Sequence, residues 1–117
     1  MLNNLREEIH RMHAQLCSAL ADPSRILILY TLSLGTSNVS DLAEEVGLSQ
    51  PSVSRHLKVL RDGGLVYAKR QGHSMLYRLS DDRVVEALDL LRGMLADNLE
   101  KQAALARTAS ESIKLVN

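Results

Sequence analysis

Residues 47–65, GLSQPSVSRHLKVLRDGGL, constrain the fold more than any other segment of the chain. A polar turn, Gly47-Leu48-Ser49, runs into a helix whose apolar positions are Val53, Leu57 and Leu60. At 100° per residue these three fall within about 60° of one another, so one narrow face is built for burial. The opposite face and the first turn carry Gln50, Ser52, Ser54, Arg55 and Lys58. An amide, short hydroxyls and two cations are the groups that reach base edges and phosphates. A helix expected over Val39–Val46 precedes the turn. Two helices separated by three residues predict a helix-turn-helix whose second member enters a major groove. A plain helical hairpin with its polar side in water is the alternative for this segment taken alone.

Charge sharpens the reading. The formal net charge of the 117 residues is zero, which on its own speaks against a nucleic-acid binder, but the charges are unevenly placed. Residues 1–48 hold three Lys or Arg against six Asp or Glu, and residues 81–117 hold five against seven. Residues 49–80 hold Arg55, Lys58, Arg61, Lys69, Arg70 and Arg78 against Asp62 alone, a local net of +5. A phosphate backbone is attracted to that segment.

The rest of the chain can be read around it. Leu5, Ile9, Met12, Leu16 and Leu20 recur at 4-3-4-4 spacing and predict a first helix over about 3–21. Asp22-Pro23 ends it, with Asp22 as N-cap and Pro23 in the first position of a second helix, apolar nearly all round, reaching about Leu34. Gly35-Thr36-Ser37 closes that helix, and Asn38 with Asp41 predicts a capped start for the third. The fourth ends at Gly63-Gly64, where one glycine takes a left-handed conformation. Two β-rich runs, Val66–Arg70 and Ser74–Leu79, joined through Gln71-Gly72-His73, predict a hairpin. Its tip carries Lys69, Arg70, Gln71 and His73, a basic finger suited to phosphates or a minor groove; a merely solvated turn is the alternative.

Ser80-Asp81-Asp82 then caps a final helix with the stripe Val84, Leu88, Leu91, Leu95 and Leu99, continued by Ala106, Ala109 and Ile113 and widened by Leu90, Met94 and Leu105. If continuous, this helix is roughly 45 Å long, more than so small a domain covers. The expectation is a homodimer through residues 3–21 and 81–113. A helix lying on its own domain, or frayed beyond about Arg107, is the other possibility. The predicted architecture is one domain over 1–117, mainly α with a small β-hairpin: four helices, two strands, one helix, with the helix-turn-helix at 39–62 and a wing at 65–79.

Several classes are excluded. With no Phe or Trp and three Tyr, the core must be aliphatic. There is no apolar run of membrane-spanning length, no leader-like N-terminus, and a lone Cys17, so a cytoplasmic protein without a membrane partner is expected. No Gly-rich phosphate loop, nucleophile elbow or poised acid pair is present, so no enzyme is expected.

Three passages, ALADPSRILIL (19–29), VSDLAEEVGLSQPSVSRHLKVLRDGGLV (39–66) and AKRQGHSMLYRLSD (68–81), in this order of elements, resemble the ArsR/SmtB family of bacterial winged-helix repressors. The resemblance covers nearly the whole chain except its ends, and the wing passage is most similar to the zinc- and cobalt-responsive branch. It implies a homodimer that sits on double-stranded operator DNA and leaves it when an inducer binds. It also implies that Gln50, Ser52, Ser54 and Arg55 face the groove and that Arg70, Gln71, Gly72 and His73 form the wing tip. Pro51 departs from the small polar residue often found there.

The sensing sites implied by the resemblance are mostly missing. A thiolate site needs cysteines flanking Val39, where this chain has Asn38 and Ser40. A zinc site on the last helix keeps Asp82 but has Val84, Leu95 and Asn98 at the partner positions. Persulfide- and disulfide-sensing relatives use two cysteines per chain, and here there is one. One constellation remains: His10, His13 and Cys17, at i, i+3 and i+7 along the edge of the first helix's stripe. Two imidazoles and a thiol suit zinc, nickel or copper(I), with a twofold partner able to add a ligand. Alternatively Cys17 is a small hydrophobe beside two edge histidines, or a redox switch across the dimer axis. His56 and His73 are assigned to DNA or to helix packing. The function expected is an operator-binding homodimeric repressor released by a metal ion, thiol-reactive species or small molecule. The alternative is a constitutive DNA-binding or protein-interaction module without an inducer.

Overall fold

Caps and a small aliphatic core set the elements of the chain, of which a computed structural model describes residues 1–116. They are helix α1 (Leu2–Met12), a π-helical segment (His13–Cys17), α2 (Ser18–Leu20), α3 (Pro23–Ser33), α4 (Val39–Val46), α5 (Gln50–Asp62), strands β1 (Val66–Gln71) and β2 (Ser74–Leu79), and α6 (Arg83–Val116). Residues 1–82 form one compact unit and the helix beginning at Arg83 a second. Among the described residues no helix is long and apolar enough to cross a membrane.

The helix starts follow from local chemistry. The Asp22 carboxylate accepts from the Ser24 amide at 2.7 Å, and Asn38 Oδ1 accepts from the Asp41 amide at 2.7 Å. Ser49 Oγ accepts from the Ser52 amide at 3.3 Å and opens α5. Each satisfies an N–H that the first turn would otherwise leave without a partner. The Ser24 bond holds the Asp22 carboxyl below its ordinary value of 3.8; partial burial opposes this, and the nearby Arg25 charge adds to the lowering.

The core of the first unit is Ala19 from α2, Ile28, Leu29 and Leu32 from α3, Leu42 and Ala43 from α4, Val53, Leu57 and Leu60 from α5, and Val66 and Leu79 from the hairpin. Helix α5 packs on α2, α3, α4 and β1, while β2 packs on α3 and α4. Burying one leucine of this set contributes about 1.5–3 kcal/mol. The α3 helix is less enclosed than its composition suggests, since Leu27 remains 49% exposed. In the hairpin Val66 pairs with Leu79 and Gln71 with Ser74. Ser37, in the connection before α4, adds an antiparallel bridge to Tyr77 through two backbone hydrogen bonds of 3.2 and 2.8 Å.

The first helix corrects an expectation. One regular α-helix over 3–21 is interrupted at His13–Cys17, where hydrogen bonds skip one residue further along the chain. Leu5, Ile9 and Met12 of its stripe are 45–54% exposed. In α6, about 51 Å long at 1.5 Å per residue, Leu91, Leu95 and Leu99 are more than half exposed.

The two glycines after α5 serve different ends. Gly64 carries the left-handed φ of +75° that the sequence pattern anticipates, whereas Gly63 has an ordinary φ of −80°. What Gly63 lacks is room: a Cβ there would meet the Gln15 carbonyl oxygen at 2.9 Å and Ala19 Cβ at 3.2 Å. Thermal unfolding should therefore show Gly63→Ala to be destabilising although its backbone angles suit alanine. Gly64→Ala should be destabilising through strain alone, by roughly 1 kcal/mol. A second prediction concerns acid. Because folding lowers the Asp22 pKa, its contribution is complete above the ordinary carboxylate value and disappears as pH falls through the lowered one. Asp22→Asn, which keeps the cap acceptor, should flatten the acid limb of stability below about pH 4 in urea melts; an unchanged acid limb would assign that limb to other carboxylates.

Candidate nucleic-acid interface

The helix-turn-helix presents its polar side chains from a rigid base. Val53, Leu57 and Leu60 are fully buried, which turns Ser54, Arg55 and Lys58 outward, all three exposed. Gln50 and Pro51 occupy the first turn of α5 and are exposed as well. Pro51 has no amide hydrogen, so it removes one of the donors that a helix N-terminus otherwise offers to a phosphate.

These groups are already engaged with one another. Arg55 Nη2 donates to Ser52 Oγ at 3.2 Å, and Ser49 Oγ donates to the same oxygen at 3.0 Å. With both acceptor positions of Ser52 occupied, its own proton is free to point at an external acceptor. Gln50 Nε2 donates to Ser40 Oγ on α4 at 3.4 Å. Lys58 Nζ lies 3.3 Å from Asp62 Oδ2, one turn further along, with the two side chains 78% and 69% exposed. Such a pair is worth about 0.3–0.5 kcal/mol, far too little to orient a helix held by three buried aliphatic residues.

The wing tip is a two-residue loop. Gly72 has φ +63° and, among the described residues, no non-glycine residue has a positive φ, so Gly72-His73 form the central pair of a type II′ turn, with glycine in the position that needs it. The register separates the candidate residues by face. Arg70 pairs with Met75 and shares its face with Ala68 and Tyr77, whereas Gln71, Lys69, Tyr67 and Arg78 lie on the other. Arg70, Gln71, Gly72 and His73 are all exposed. Lys69, already read as part of the basic tip, shares the face of Gln71, and Arg78, opposite Tyr67 nearer the hairpin base, extends that face; strand alternation, once the register is known, is the signal that adds Arg78.

The first-helix constellation is arranged differently. His10 stands near the end of α1, while His13 and Cys17 open and close the π-helical segment; all three are exposed. Spacing of i, i+3 and i+7 implies one face only where each residue turns by 100°, and the π segment breaks that rule. Among the described residues of a single chain, no three His, Cys, Asp or Glu side chains gather in a group that could hold a metal. His56 is half-buried, with Nδ1 3.3 Å from Arg25 Nη1, which makes it a packing residue.

This geometry coincides with known proteins. The profile of the bacterial regulatory protein family arsR matches residues 22–68. The chain is 47% identical over 76 residues to the HTH-type transcriptional regulator NmtR of Mycobacterium tuberculosis, a match covering 65% of this chain and 63% of that one. It is 40% identical over 85 residues to a probable mercury resistance operon repressor of Streptomyces lividans, covering 73% of this chain and 68% of the relative. Its fold is similar to a homodimeric winged helix-turn-helix DNA-binding domain from Mycobacterium bovis, with a TM-score of 0.72 and 29% identity over 81% of this chain and 88% of that one. With its capped recognition helix and adjoining basic wing, the chain belongs to the ArsR family of winged helix-turn-helix transcriptional regulators.

Proposed function

We propose that the protein is a homodimeric repressor that holds operator DNA and releases it when an effector binds. The observation that carries this reading is α5: its apolar stripe is wholly buried while Gln50, Ser54, Arg55 and Lys58 stand exposed from a segment of net charge +5. In this reading α5 lies in the major groove, and Arg70, Gln71, Gly72 and His73 of the wing hold the adjacent backbone. The chain acts as one domain over 1–117, and two copies meet through residues 3–21 and 81–113. The exposed leucines of both helices support that, as does the homodimeric neighbour. The operator is then a pseudo-palindrome with half-sites about one helical turn apart or a small multiple of it.

The mercury resistance relative favours a metal ion as effector. Within this chain the candidate ligands are His10, His13 and Cys17, completed across the dimer, for zinc, nickel or copper(I); Cys17 alone is the candidate for a thiol switch. Release requires only that the effector bind the DNA-incompetent dimer more tightly.

Fluorescence anisotropy on the protein's own promoter duplex, at fixed salt and under reducing conditions, tests both parts. Zinc, nickel and copper(I) are added singly and withdrawn with chelator. Reversible release that disappears in His13→Ala or Cys17→Ser is the expected result; tight specific binding indifferent to all three ions would instead point to a constitutive module or an organic inducer. In the same assay Arg55→Ala should weaken specific binding by about 1–3 kcal/mol, and an unchanged affinity would remove Arg55 from base reading. Lys58→Ala should weaken binding to promoter and scrambled duplexes alike, with a salt slope shallower by about 1. An unaltered slope would leave Lys58 off the backbone.

A further inference from the structure

One guanidinium joins the end of the first helix to the recognition helix. Arg25 is half-buried in the first turns of α3. Its Nε donates to the Ala19 carbonyl at 2.8 Å and its Nη2 to the Ser18 carbonyl at 2.9 Å. On its far side Nη1 lies 3.3 Å from Nδ1 of His56, in the middle of α5. A guanidinium only donates, so Nδ1 is the acceptor in this contact. The fork is planar and rigid, so its partners cannot shift independently without breaking a bond.

The carbonyls of Ser18 and Ala19 lie at the end of α2, where backbone bonding is weak (the Ala21 amide reaches the Ser18 oxygen only at 3.4 Å), and they directly follow the π-helical segment. A second contact lies at the other end of α5, where the missing Cβ of Gly63 lets its backbone rest against the Gln15 carbonyl and Ala19. The recognition helix therefore meets residues 15–19 at both its middle and its end. A π turn holds one residue more than an α turn. Converting residues 13–17 to α register would rotate the carbonyls beyond it by about 100° and pull them away from Arg25.

We propose that Arg25 is a positioning residue of the DNA interface: acting through His56, it sets the placement of α5 against the end of the first helix and carries changes of register in residues 13–19 to α5. The DNA arm of its test rests on the operator-binding reading. The full-length chain is compared as wild type, Arg25→Gln, His56→Leu, His56→Asn and the Arg25→Gln/His56→Leu double variant. Each is titrated onto the promoter duplex and a scrambled duplex of equal length at one salt concentration. Arg25→Gln and His56→Leu should each lose about tenfold on the promoter duplex and stay within about twofold on the scrambled one, because phosphate contacts remain. The double variant should be no weaker than Arg25→Gln, and His56→Asn, whose Oδ1 replaces Nδ1, should bind nearly as wild type. Additive losses, or equal loss on both duplexes, would overturn the tie. Should Arg25→Gln not fold, the contrast between His56→Leu and His56→Asn decides by the same criterion. Wild type that does not discriminate the duplexes would defeat the operator reading. Amide exchange then decides the tie: acceleration in Arg25→Gln confined to residues 18–20 and 50–62 supports it, and uniform or unchanged exchange overturns it.

Discussion

Burial of Val53, Leu57 and Leu60 is the constraint on which the rest of the architecture depends. These three side chains are fully withdrawn from water, and α2, α3, α4 and β1 all pack against the helix that carries them. Each contributes on the order of 1.5–3 kcal/mol, whereas the polar bonds around them are individually small. Which residues of α5 face outward is therefore decided by the inner face. The outer face can vary in chemistry at little cost to the fold.

The outward groups are held rather than left to wander. Arg55 bonds Ser52, Ser52 is bonded by Ser49, Gln50 bonds Ser40, and Lys58 pairs with Asp62. These contacts lie at the surface, where water competes, so each can be exchanged for a contact to a base or phosphate without a large penalty. Their effect is to reduce the freedom that long side chains would lose on binding.

Much of this was legible along the chain. The caps at Asp22 and Asn38, the glycine stop after α5, and the hairpin all rest on local rules that need no knowledge of the fold. The readings that failed were those extrapolated through a regular helix. Leu5, Ile9 and Met12 keep their spacing, but the 100° rule does not continue through His13–Cys17, and with it goes the simple argument that His10, His13 and Cys17 share a face. Leu27 likewise looks internal by composition and is half-exposed.

Sequence by itself determined the family, the order of elements and the candidate side chains of α5 and the wing, since periodicity and capping are properties of neighbours in the chain. Only tertiary structure decided the rest. It sets Arg70 opposite Met75 in the hairpin and pairs Ser37 with Tyr77. It makes His56 the partner of Arg25, 31 positions away, and leaves Gly63 no space for a side chain. These depend on which surfaces meet, and two residues far apart in sequence carry no local signal that they will do so.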